Sequence, residues 1–192
     1  MSLGPLIIVS GPSGSGKSTL VRRALAEFGS RLRHSVSATT RDRRPGEMDG
    51  VHYHFWTRAR FERGIAAGEF LEYATVYGTN YYGTLRSEVE QYRAQGVGVI
   101  LDIEVQGAAQ LRASCPDAFF VFLDTPAGEY ERRLRERGTE SEDAIQQRLE
   151  TARREMARAG EFDRRILNDH VDRAAAELCT EIRRLFETNQ GR

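Results

Sequence analysis

Apolar and polar positions fall into two rhythms along this chain. "LIIVS" (6–10), "VGVILDIE" (97–104) and "AFFVFLD" (118–124) are short apolar runs rich in β-branched residues, the pattern of strands buried on both faces. "KSTLVRRALAEF" (17–28) and "QGAAQLRAS" (106–114) read as helices between them, and "RRILND" (164–169) as a last short strand. In the charged stretch 126–160, Ile145, Leu149, Ala152 and Met156 recur at helical spacing. The closing segment repeats that period with Ala174, Leu178, Ile182 and Leu185. Strands alternating with helices predict an α/β fold: a parallel sheet core with helices on both faces.

Residues 37–92 break the rhythm. A polar, Arg-rich loop, "SATTRDRRPGEMDG" (37–50), carries turn signals at Pro45-Gly46 and Asp49-Gly50. "VHYHFW" (51–56) and "EFLEYATVY" (69–77) follow as strand candidates, with a short helix, "ARFERGIAAG" (59–68), between them. The pattern predicts one domain over 1–192. Segments 1–36, 93–125 and 161–192 form its core, 37–92 a small mixed α+β insert and 126–160 a helical region.

Composition narrows the function classes. Lys plus Arg number 28 and Asp plus Glu number 28, so the chain as a whole is not drawn to nucleic acid or anionic lipid. No apolar run is long enough for a membrane span. Cys115 and Cys179 form no CxxC pair, which argues against a disulfide framework or zinc site and fits a reducing cytoplasm.

"GPSGSGKS" (Gly11, Pro12, Ser13, Gly14, Ser15, Gly16, Lys17, Ser18), followed by Thr19, matches the phosphate-loop pattern G-x-x-x-x-G-K-[ST], with a predicted strand before it and a helix after. Glycines let backbone N–H groups turn inward around a triphosphate, and the helix adds its positive dipole end. Lys17 is the only lysine in the chain; every other basic side chain is arginine. A compact ammonium on a flexible stem follows the β and γ phosphates where a broad Arg fork fits poorly. Ser18 is the hydroxyl for Mg²⁺, and Asp102, closing a buried strand, is the second candidate near the metal. With Lys17 committed, no lysine is left for the N-K-x-D element by which GTPases read their base.

A kinase for a small phosphorylated acceptor needs a second anion site. Arg41, Arg44, Ser37, Tyr53 and the pair Tyr81-Tyr82 supply forks and hydroxyls of that kind. "SVSATTRDRRPGEMDGVHYHF", "FLEYATVYGTNYYGT", "ILDIEVQG" and "RLRERGTESEDAIQQRL" follow the phosphate loop in that order. Together they resemble the guanylate kinase family of nucleoside monophosphate kinases, over nearly the whole chain.

The resemblance implies a phosphate-loop kinase that uses ATP and Mg²⁺ to convert GMP, and dGMP, to the diphosphate. It assigns Ser37, Arg41, Arg44, Tyr53 and Tyr82 to the GMP phosphate, and Glu72 and Thr84 to guanine. Asp102 falls beside Mg²⁺ and the acceptor, and Glu104 where the family more often has a second Asp. Arg133, Arg137 and Arg148 lie in the family's lid (126–160), and Asn168 near adenine. The turn "YGTNYYG" is one residue longer than the family's usual version. ATP and GMP are then the partners. The acceptor oxygen is already anionic, so no general base is required, and His34, His52, His54 and His170 read as loop or surface residues. Closure of insert and lid over the nucleotides is the expected motion. Two other readings stay open: a kinase for a phosphorylated sugar on the same scaffold, and a phosphopeptide-binding module without catalysis.

Overall fold

A computed structural model describes residues 2–76, 80–136 and 142–190. The first half runs β1 (Leu6–Ser10), α1 (Lys17–Phe28), β2 (Leu32–His34), β3 (Ala38–Thr39), β4 (His54–Phe55), α2 (Arg58–Ala66), β5 (Phe70–Val76) and β6 (Asn80–Leu85). It continues through α3 (Arg86–Ala94), β7 (Gly98–Asp102), α4 (Val105–Ser114), β8 (Phe119–Asp124), α5 (Ala127–Glu136), α6 (Glu142–Met156), β9 (Arg164–Leu167) and α7 (Val171–Gln190).

The core is a parallel five-stranded sheet in the order β2-β7-β1-β8-β9. Its central strand β1 is buried along its whole length, which is why its sequence shows no polar alternation. Alternate residues still serve opposite faces. Ile7 and Val9 pack with Leu20, Val21 and Ala24 of α1 and with Ala174, Leu178 and Ile182 of α7. Leu6 and Ile8 pack with Val89 of α3 and with Ala108 and Leu111 of α4.

Three elements differ from the sequence reading. β2 was hidden because only Leu32 of its three residues is buried, the others being Arg33 and His34. α3 straddles the end of the 37–92 span, and Val89 sits in the core cluster with Leu6, Ile8 and Val99. Val89 and Tyr92 alone mark its apolar face among charged residues, too thin a stripe for periodicity to register. The strand expected over 51–56 shrinks to His54–Phe55. Residues 48–53 curl instead, with the His52 N–H donating to the Met48 carbonyl at 3.1 Å and Asp49 Oδ1 accepting from the Phe55 N–H at 2.7 Å.

The insert forms a second, four-stranded sheet in the order β4-β3-β6-β5, with its own aromatic nucleus. Phe61 of α2 is fully buried and stacks on Phe70 with ring centroids 4.3 Å apart, and Trp56 meets both rings edge-on. Helices α5 and α6 pack on each other through Tyr130, Ile145, Leu149 and Ala152, a cluster separate from both faces of the core.

Trp56 is the only tryptophan, so its fluorescence reports on the insert. Phe61→Ala is expected to destabilise the protein by about 3–5 kcal/mol, the usual cost of emptying a buried phenyl site. Denaturant unfolding followed by Trp56 emission checks this. A midpoint unchanged from the parent chain would remove Phe61 from its place as keystone of the insert.

Candidate active site

The parallel sheet ends its strands at one edge, and the chemistry collects there. The phosphate loop follows β1, Asp102 closes β7, Thr125 follows β8, Asn168 follows β9 and His34 closes β2. Gly11, Gly14 and Gly16 adopt φ of 140°, 103° and 99°, conformations that favour glycine. Space forbids a side chain as well: a Cβ on Gly11 would lie 2.4 Å from the Leu123 carbonyl oxygen.

Lys17 opens α1, and its Nζ donates to the carbonyl oxygens of Gly11 at 2.6 Å and Pro12 at 3.2 Å. Ser18 Oγ donates to Asp102 Oδ2 at 2.9 Å, joining the loop to the neighbouring strand. Asp102 Oδ1 lies 2.8 Å from His34 Nε2. Burial works to raise the Asp102 carboxyl. The hydrogen bonds from His34 and Ser18 and the charge of Lys17 outweigh it, so the group stays ionised below its ordinary value. A carboxylate only accepts, so His34 Nε2 carries the proton. The expectation that all four histidines stand clear of the site is corrected for His34. The parallel pairing of β2 with β7 sets it beside Ile100, and the next residue on that face of β7 is Asp102.

Four groups from elsewhere brace the loop. The Tyr130 hydroxyl donates to the Ser13 carbonyl at 2.8 Å, and Arg148 Nη2 to Ser13 Oγ at 2.8 Å. Asn168 Nδ2 donates to the Ser15 carbonyl at 2.7 Å, and Thr125 Oγ1 to the same oxygen at 3.4 Å. Asn168 is buried against the loop, so close that a Cβ on Gly16 would lie 2.5 Å from its Nδ2. Arg133 lies in α5, but its side chain falls outside the described residues, as does Arg137 altogether.

Across a cleft of about 1200 Å³ stands the insert. Ser37, Arg44, Tyr53, Glu72 and Tyr82 line its wall, Asp102 and Glu104 its floor, and Ser13, Tyr130, Arg148 and Glu155 the opposite side. Burial raises the Tyr53 hydroxyl, which therefore stays protonated and able to donate. Arg41 takes another partner: its Nη1 and Nη2 grip Glu47 at 2.7 and 2.8 Å. Glu72 and Thr84 are register partners on β5 and β6, both buried, and this pairing creates their contact. Thr84 gives its hydroxyl to Glu72 Oε1 at 2.7 Å and its N–H to the same oxygen at 3.1 Å. Burial raises the Glu72 carboxyl, partly offset by these two bonds.

Gly107, Tyr130 and Glu155 line the cleft but escaped sequence reasoning. Gly107 leaves room for the guanine-reader candidate: a Cβ there would sit 2.6 Å from Glu72 Oε2. A glycine early in a helix, where Ala is the better former, was its signal. Glu155 had one too, as a carboxylate at the margin of the stripe Ile145, Leu149, Ala152 and Met156. Burial, with the nearby Glu104 carboxylate, pushes Glu155 up to about 7 against the pull of Lys17 and Arg158.

Comparison with known proteins agrees with this geometry. The guanylate kinase family model matches residues 4–185. A guanylate kinase of Rubrobacter xylanophilus is 50% identical over 186 residues, covering 96% of each chain. One of Symbiobacterium thermophilum is 52% identical over 176 residues, covering 91% of this chain and 82% of its own. The crystal structure of guanylate kinase from Anaplasma phagocytophilum superimposes with a TM-score of 0.75 at 29% identity, covering 95% of this chain and 86% of that one. The phosphate-loop α/β core and the insert facing it are thus those of a known enzyme architecture, and the chain belongs to the guanylate kinase family, whose members transfer the γ-phosphoryl group of ATP to GMP.

Proposed function

We propose that this cleft performs the family's transfer with the following division of labour, dGMP serving as an acceptor beside GMP. The observation that carries it is the buried pair Glu72–Thr84, with Glu72 lining one cleft together with Ser13 of the phosphate loop and Asp102. Thr84 holds Oε1, which leaves Oε2 to accept from the N1–H and 2-amino groups of guanine. Adenine offers an unprotonated N1 there, and a buried carboxylate facing a lone pair is heavily penalised. None of these contacts uses the ribose 2′-hydroxyl, so dGMP meets the same reader.

Arg41, Arg44, Tyr53, Tyr82 and Ser37 hold the acceptor phosphate. Its oxygen is anionic at neutral pH, so alignment and charge neutralisation, rather than proton abstraction, lower the barrier. Lys17 and the N–H groups of residues 13–19 hold the donor phosphates, and Arg133, Arg137 and Arg148 are the arginines assigned to neutralise them. Asn168 fixes the loop and, with it, the adenine end of the ATP site. Glu104 faces the acceptor side of the floor.

Ser18 and Asp102 fit Mg²⁺. They are hard oxygen donors, hydrogen-bonded to each other at 2.9 Å beside the phosphate loop. This cation needs only one or two protein oxygens, with water and phosphate completing its shell. When bound it neutralises charge on the β and γ phosphate oxygens. The reaction and its substrates suit the cytoplasm, where ATP and GMP are found.

ADP release from ATP and Mg²⁺ tests the reading, with GMP, dGMP, AMP, UMP, CMP and a ribose phosphate offered separately. Turnover confined to GMP and dGMP is expected; turnover with the sugar phosphate alone would reassign the acceptor. Glu72→Gln is expected to lower kcat/KM for GMP about 10- to 100-fold, the worth of a charged hydrogen-bonded contact, with KM for ATP unchanged. Equal losses toward both substrates would refute the guanine role.

Glu155 adds a pH signature. Its folded pKa of about 7 lies above the ordinary 4.5, so the native state keeps a proton the unfolded chain has lost. Stability from this group is therefore full below about pH 4.5 and falls as pH rises toward 7. Glu155→Gln should raise the Tm of the nucleotide-free protein at pH 8 while leaving it near the parent value at pH 5. An equal shift at both pH values would contradict the assignment.

A further inference from the structure

The loop that bears Arg41 and Arg44 is shaped by a turn with a stated chemistry. Pro45 and Gly46 occupy its two central positions, Gly46 at φ 84°, and the Glu47 N–H closes it on the Arg44 carbonyl at 3.1 Å. Proline then glycine with positive φ is the signature of a type II turn. The turn folds Glu47 back over the residues before it. One carboxylate oxygen accepts from Arg41 Nη1 at 2.7 Å and from the Arg44 backbone N–H at 2.8 Å, while the other accepts from Arg41 Nη2 at 2.8 Å. A two-pronged contact of this kind fixes the guanidinium plane as well as its position.

The other contacts of Arg41 show what that plane is aimed at. Its guanidinium carbon stands 5.3 Å from the Tyr53 ring centre, and the Tyr82 side chain lies close enough to help hold the group charged. Those two rings meet edge to face at 5.8 Å. Tyr53 and Tyr82 line the cleft together with Arg44. Arg41 therefore stands between Glu47, which grips its outer edge, and the two tyrosines of the acceptor wall. Glu47 itself lies outside that wall. The Arg41 fork and the Arg44 N–H hold its carboxyl down to about 2, so it is ionised throughout the working range.

We propose that Glu47 is a positioning residue for the acceptor phosphate: it fixes the plane of Arg41 from behind and, through Arg41, the hydroxyls of Tyr53 and Tyr82. The inference rests on the reading of Arg41, Tyr53 and Tyr82 as acceptor-phosphate ligands. Glu47 contributes a fixed geometry rather than a contact, so its loss weakens acceptor binding and spares the donor site.

The experiment is steady-state kinetics on Glu47→Gln, Arg41→Ala and the double variant, with calorimetric GMP binding measured without ATP. Glu47→Gln keeps the side-chain volume and removes only the charge. It is expected to raise KM and Kd for GMP about tenfold, with KM for ATP unchanged and kcat within about twofold, as the loss of one charged hydrogen-bonded contact implies. Glu47→Asp, which keeps the charge, should recover part of that loss. Added to Arg41→Ala, Glu47→Gln should change GMP affinity no further, because the two act as one unit. Unchanged or tighter GMP binding in Glu47→Gln, with Arg41→Ala impaired, overturns the role of Glu47 and leaves the acceptor reading standing. Normal GMP binding in Arg41→Ala overturns both. Equal losses for GMP and ATP, or additive losses in the double variant, mark Glu47 as a general stabiliser of the fold and also overturn the proposal.

Discussion

The site is referred throughout to the carbonyl oxygens of one loop. Ser13 accepts from Tyr130, and Ser15 from Asn168 and Thr125, so the backbone of residues 13–16 is held from outside by α5 and by the segments after β9 and β8. In a trans peptide unit the C=O and the following N–H point in opposite directions. Pinning those two carbonyls turns the N–H groups of Gly14 and Gly16 away from the braces, the disposition from which a phosphate loop takes its affinity. Three segments distant in sequence must be in place before the loop has that shape. The core sheet brings them together because parallel strands deliver all their carboxyl ends to one edge.

Charge in the cleft is arranged as opposed pairs rather than as a positive bowl. Lys17 turns to the carbonyls of Gly11 and Pro12, Arg41 to Glu47, and Asp102 to Ser18 and His34. Glu155 lies within the electrostatic reach of Lys17 and of Glu104. The chain's overall neutrality is thus repeated locally, and anion affinity comes from oriented donors instead of net charge. This arrangement also accounts for the single lysine. The Nζ of Lys17 reaches two carbonyls of its own loop, at 2.6 and 3.2 Å, within the turn of one strand into one helix. A planar guanidinium needs a partner with a broad matching edge, as Arg41 finds in Glu47, and a tight glycine loop offers none.

Much of this was legible from residues. The continuous apolar runs gave β1, β7 and β8, and the motif at Gly11–Ser18 located the loop, because both signals are local. The second anion site around Arg41 and Arg44 could be suggested from residue types, but Glu72 and Thr84 were legible only through resemblance, since their meeting depends on sheet register: Glu72 finds Thr84 by pairing of β5 with β6, twelve residues apart. His34 was misread for the same reason, its partner Asp102 being 68 residues away across a parallel strand pair. Asn168 was assigned to the adenine end, and the structure adds that it lies under the loop itself, against Ser15 and Gly16. No periodicity predicts that a side chain following β9 will meet a loop following β1. The strand expected over 51–56 failed where Asp49, Gly50 and His52 offered the backbone nearer partners than a ladder.

Hydrophobic packing divides the molecule along the same lines as its chemistry. The two faces of the core sheet are held by the large clusters around Ile7 and Leu6, while the insert closes on Phe61 and Phe70, and the lid helices on Tyr130, Ile145 and Leu149. Side chains in a close-packed cluster resist being separated, whereas polar contacts between clusters exchange at little cost. What joins lid to loop is polar, Tyr130 and Arg148 on Ser13, and what joins insert to core includes the hydrogen bonds between Tyr73 and Gln110. The insert wall and α6, which carries Arg148, thus each belong to a unit with its own apolar nucleus, while Lys17, Ser18 and Asp102 stay with the edge of the core sheet. An enzyme that must align two polyanions gains from this division. Lys17, Ser18 and Asp102 keep a fixed frame at the sheet edge, and the contacts of Tyr130 and Arg148 with Ser13 are polar, the kind that exchange at little cost.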